Sequence, residues 1–90
     1  MKYSAINNAL MIELNGLRKE WKGIGEELEE AYANNWTDTI KTLEQDSHRI
    51  GAAMRTTRHV AEIVIRYSGY TIALNPETDY YELKPLEELT

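Results

Sequence analysis

The chain has 90 residues, 42% hydrophobic and 28% charged, with 10 basic and 15 acidic side chains for a net charge of −5. At this length the surface-to-volume ratio allows one thin core, or a core completed by a partner. The acidic balance argues against nucleic acid as the main partner, and the absence of cysteine excludes disulfides, thiol chemistry and thiolate-held metals. No apolar run approaches the ~18 residues of a membrane span. Asn7, Asn8 and Glu13 interrupt the N-terminal run that a cleaved secretory signal needs.

Apolar residues recur at Tyr3, Ile6, Leu10, Leu14, Leu17 and Trp21, a mean step of about 3.6 that marks one face of an α-helix. The spacing predicts a first helix over about 4–21, with Ser4 as its N-cap. Gly23 and Gly25 follow. Two glycines inside a helix cost roughly 2 kcal/mol relative to alanine, so a chain reversal at 22–25 is expected, with Trp21, Gly23 and Gly25 as its turn motif. The competing reading is one helix that tolerates both glycines.

A second stripe runs through Leu28, Tyr32, Trp36, Ile40, Leu43, Ser47, Ile50, Met54, Thr57, Ala61 and Val64, again about 3.6 residues per step. It predicts one long helix over about 26–68, with Tyr32 and Trp36 in a junction core and Gly69 where a C-terminal glycine belongs. A break is the alternative, since Thr37 can cap a fresh helix and "DSHRIG" holds both a cap candidate and Gly51. In the tail, "TIAL" and "YYEL" flank the turn-rich "NPETD", which fits either a small β-hairpin or an irregular segment packed on the helices. The expected fold is all-α. Residues 1–70 make an antiparallel helical hairpin with a long second helix, and 71–90 make a C-terminal tail.

A first helix of about 18 residues spans roughly 27 Å and a second of about 44 spans roughly 66 Å. The far half of the second helix is then left without an intrachain neighbour. Ile50, Met54, Val60, Ile63 and Val64 become the expected partner interface. Residues 20–47 carry a net charge of −6 and residues 48–66 one of +3. Two copies packed antiparallel would match these signs, giving a two-fold homodimer and a four-helix bundle. Residues 67–90, at net −4, offer the competing match by folding back on the arginine-rich half.

Little in the chain points to chemistry. His48 and His59 lie eleven residues apart on one helix and diverge, whereas metal ligands must converge on one ion. "GIGEEL" lacks the third glycine of a dinucleotide loop. Glu26, Glu27, Glu29 and Glu30 match the positive end of a helix more simply than they match paired catalytic acids. Arg49, Arg55, Arg58 and Arg66 could touch phosphate, but without interleaved aromatics. No nucleophile and base can be paired. The expectation is a non-enzyme without cofactor or metal, one of whose readings is a standalone helical structural or regulatory protein such as a phage-encoded assembly or inhibitor factor.

The tripeptide "WKG" between two amphipathic stripes, in a small acidic chain without cysteine, resembles the WxG family of type VII secretion substrates, the early-secreted-antigen-like proteins. The likeness extends through Gly25, Glu26, Glu27, Tyr32 and Trp36 and covers roughly residues 10–68. The family's first helix is longer. Its export signal, a tyrosine with an acid four residues on, is replaced after Tyr67, Tyr70, Tyr80 and Tyr81 by Thr71, Leu74, Lys84 and Pro85. The resemblance implies a helical interaction module, cytoplasmic before any signal-peptide-independent export. It would act as a homodimer or as the helical partner or chaperone of a larger secreted effector.

Overall fold

The computed structural model describes residues 2–89, with side chains described over 5–87. Helix α1 spans Lys2–Ala33 and helix α2 spans Thr37–Tyr67, followed by strands β1 (Tyr70–Asn75) and β2 (Tyr80–Pro85) and a closing 3₁₀ turn, Leu86–Leu89. The helical hairpin stands as expected, but its bend lies elsewhere. The backbone stays helical through Trp21, Gly23 and Gly25, and α1 is already under way at Ser4, which is therefore not its cap.

The physical reason is that neither glycine is needed. Gly69 has the only positive φ among the glycines, and a Cβ at Gly16, Gly23 or Gly25 would meet nothing within 4 Å. Their propensity penalty, about 1 kcal/mol each, is outweighed because the apolar stripe does not stop at Trp21. Ile24 and Leu28 extend it, half-buried, to the fully buried Ala31.

The reversal uses Asn34, Asn35 and Trp36 instead. Asn35 takes φ 54°, a left-handed conformation that asparagine reaches more readily than other residues with a side chain. The Trp36 amide donates to the Ala31 carbonyl (3.0 Å) and the Asn35 amide to that of Tyr32 (3.3 Å). This is the paired 6→1 and 5→2 bonding of a Schellman stop. At the far end of α2, Gly69 (φ 86°) and Ser68 donate back to Arg66 and Ile65, both at 3.0 Å, so the C-terminal glycine sits where the sequence placed it.

Moving the bend equalises the helices. With 32 and 31 residues, each is about 47 Å long at 1.5 Å per residue, matching the 49 Å long axis of the molecule. The length mismatch expected from the sequence disappears, because the N-terminal half of α1 lies along the C-terminal half of α2. The core sits at this open end. Met11 and Leu14 of α1 pack with Ala61 and Ile65 of α2 and Ile72 of β1, flanked by Leu10, Tyr81 and Leu83. Asn7, also buried, donates to Ser68 Oγ (2.7 Å), which donates to the Ile65 carbonyl (2.7 Å).

The all-α class is amended by the tail. β1 and β2 pair antiparallel from Tyr70↔Pro85 to Asn75↔Tyr80. The connecting turn is built by Asn75, whose side-chain oxygen accepts from the Glu77 amide (2.9 Å) and whose carbonyl accepts from that of Asp79 (2.7 Å).

The continuous α1 sets an expected result. Gly25→Ala, at an exposed helical position without positive φ, should raise stability by about 0.5–1 kcal/mol. That is a gain of several degrees in Tm by circular dichroism, whereas a turn at 22–25 would make the same change neutral or harmful.

Candidate interaction surface

The tail is strapped to one side of the helix pair by side chains of both helices. The Asn15 carboxamide brackets the Tyr81 backbone, donating to its carbonyl (2.9 Å) and accepting from its amide (2.8 Å). Arg18 donates to the Asp79 carbonyl (2.6 Å) and carboxylate (2.8 Å), and Lys22 pairs with the other carboxylate oxygen. Hydrogen bonds from Lys22 and Arg18 hold the Asp79 carboxyl below its ordinary range. The guanidinium carbons of Arg18 and Arg58 lie 5.5 and 5.3 Å from the Tyr81 ring centre, and Lys22 lies 5.3 Å from that of Tyr80. The acidic tail has folded back on the helix pair, but its ion pairs go to Arg18 and Lys22 of α1, while Arg49 and Arg58 pair with Asp46 and Glu62 of their own helix.

The opposite side carries no strap. Ile6 and Ile24 lie nine residues either side of Asn15, and Tyr67 nine after Arg58; at 3.6 residues per turn each is about 180° around its helix from the hairpin-facing residue. Val60, Ile63 and Tyr67 form an i, i+3, i+7 row on α2 that is 48%, 50% and 85% exposed, and Ile6 is 47% exposed. Towards the bend this side becomes a groove where Ile24 and Ile50 lie among Glu20, Glu27 and Asp46. Asp46 is paired with Arg49.

The residues singled out from sequence divide accordingly. Val60 and Ile63 are exposed, while Ile50, Met54 and Val64 are half-buried. This corrects their place in a wholly bare surface, because α1 is long enough to reach them. Tyr32 and Trp36 are 54% and 49% exposed and do not make a junction core. Trp36 stands in the bend, and Tyr32 donates to Glu44 (2.8 Å), whose carboxylate raises the phenol above its ordinary range. Trp21, Gly23 and Gly25 form no turn. His48 and His59 are exposed, and among the described residues no three histidines or acids are grouped to hold a metal.

No family model, curated protein or solved structure matches the chain. None of the described helices is long and apolar enough to cross a membrane. Ile24, Ile6 and Tyr67 were outside the expected interface. Ile24 drops out of any reading that ends the first helix at Trp21, although its place seven residues after Leu17 is the signal that finds it.

Proposed function

We propose that this chain is a non-catalytic protein–protein interaction module that offers the hairpin-free face of its two helices to an amphipathic helix of another protein. The supporting observations are the exposed row Val60, Ile63, Tyr67 on α2, the exposed Ile6 on α1, and the groove nearer the bend that holds Ile24 and Ile50. Exposed apolar rows mark interaction sites, and helix-in-groove docking reads an i, i+3, i+7 pattern. Residues 20–47, the bend half of both helices, carry eight acids against two bases, so the favoured occupant is basic on its polar edge.

The secretion-system role implied by the W-x-G likeness would use the same face, with this chain as helical partner of a larger effector. Its support is the helical hairpin. Against it stands the position of the tripeptide, twelve residues before the end of α1 and away from the reversal, which favours the second reading of a helical regulatory protein unrelated to secretion.

The test is the double variant Val60→Glu/Tyr67→Glu. Both sites are exposed, so stability should change by no more than about 0.5 kcal/mol per site, while stoichiometric co-purification of a helical partner from the native host should be lost. Lys19→Glu serves as the control. Partner binding unchanged by the double variant, or a partner that engages the hairpin side instead, overturns the reading. Self-association lost in the double variant would make a second copy the occupant, as in the four-helix bundle.

A further inference from the structure

The two outer edges of the β-hairpin are not alike. Asn15 takes both the N–H and the C=O of Tyr81, so those groups point away from β1. Orientation alternates along an antiparallel ladder, hence Leu83 and Pro85 also turn their backbone groups outward on β2. By the pairing Leu74↔Tyr81, Ile72↔Leu83 and Tyr70↔Pro85, Tyr70, Ile72 and Leu74 do the same on β1. Pro85, which has no N–H to give, occupies a position the ladder does not use, and the Leu86 amide donates to Gly69 (3.0 Å) in the next, inward-facing pair. The β2 edge is therefore closed by Asn15 at one point and lacks a donor at another.

The β1 edge has no such protection. Among the described residues, the outward backbone groups of Tyr70, Ile72 and Leu74 have no partner. Charged residues, proline and bulges are what usually blunt an edge strand. β1 reads YTIALN, without charge or proline, whereas β2 carries Glu82 and Lys84. Its side chains on the core side are Ile72, buried, and on either side of it Tyr70 and Leu74, 39% and 45% exposed.

We propose that β1 pairs with β1 of a second copy, antiparallel about a two-fold axis at Ile72, joining two hairpins into a four-stranded sheet. The free groups stand at 70, 72 and 74, symmetric about 72, so this register satisfies every one of them, with Ile72 opposite Ile72. It sets Tyr70 of each copy against Leu74 of the other, and these are the two large apolar side chains that the hairpin leaves exposed. Such cross-strand apolar pairs stabilise a sheet, and no like charges are opposed. Two strands alone are marginal in water, whereas more strands with one apolar face are stable. The interface is separate from Val60 and Tyr67, so it leaves the helical face free and does not rest on the function proposed above.

The full chain is examined by sedimentation velocity over a hundredfold concentration range, with amide hydrogen exchange at both ends of that range. The wild type should double its mass, and the Ile72 and Leu74 amides should be protected only when concentrated. Leu74→Pro removes an outward N–H without touching the intrachain ladder, so it should keep the hairpin and weaken dimerisation at least tenfold; Val60→Glu should dimerise as the wild type does. If Leu74→Pro disturbs the fold, the exchange of the wild-type Ile72 and Leu74 amides decides alone. A chain that stays monomeric, amides that exchange equally fast at both concentrations, or a dimer lost in Val60→Glu and kept in Leu74→Pro overturns the proposal.

Discussion

Leu14→Ala is expected to remove about 3–5 kcal/mol of stability, read as a lowered urea midpoint with an unchanged m-value. Leu14 is completely buried, at the point where α1, α2 and β1 meet around Ala61, Ile65 and Ile72. Truncating a buried leucine loses the transfer free energy of three carbons and leaves a cavity whose cost rises with how little the walls can relax. Here the walls come from three different elements, so inward collapse in one direction opens a gap in another. A domain of this length is stable by only about 5–13 kcal/mol at the usual per-residue average. One truncation then takes a large share of the total, and partial unfolding at 37 °C is expected. Leu17→Ala, at a half-buried position three residues on, should cost clearly less. Equal losses at the two sites would place the core elsewhere than the open end of the hairpin.

Apolar spacing was enough to read both helix faces, since Leu10, Leu14, Leu17, Leu43, Ala61 and Val64 all point inward to some degree. The stop at Gly69 was legible too, from backbone freedom. Charge offers the fold-back of the tail only as a competitor to a partner and points it at the arginines of 48–66, whereas the ion pairs that form use Arg18 and Lys22 of α1. The bend was not legible. Two glycines weigh more in propensity than two asparagines, but a reversal is decided by whether the carbonyls of the last turn find donors, and Asn35 with Trp36 supplies them. The phase of Tyr32, Trp36 and Ile40 hid the break, because a four-residue step carried the stripe across it by coincidence. From that one displacement came the other differences. Periodicity tells which residues share a face, not how long the opposing helix is, so it leaves Ile50, Met54 and Val64 on bare surface although α1 reaches them. The strand edges were beyond periodicity altogether, since they depend on which backbone groups point outward, and that is fixed only by the register.

Ile72→Ala should cost about 2–4 kcal/mol and, more informatively, should release the hairpin. Ile72 is the hairpin's one buried apolar side chain, 7% exposed in the shared cluster. Tyr81 and Leu83 add half-buried apolar contact with the same cluster, and the other attachments are polar. The Asp79 pairs with Arg18 and Lys22 are half exposed and screened by water and salt, so they steer the strand more than they hold it. The Asn15 bonds to Tyr81 fix the register but replace bonds to water that the free strand would make. If apolar burial holds the hairpin and polar bonds aim it, Ile72→Ala should speed exchange of the Tyr81 amide and open the Gly69 region to proteolysis under native conditions. Asp79→Ala should leave both nearly unchanged. The reverse ranking, with 1 M salt releasing the hairpin of the wild type, would make the strap electrostatic. Because Ala61 and Ile65 lose their cover when the hairpin leaves, the helix pair and the tail should melt as one cooperative unit in the wild type and as two in Ile72→Ala.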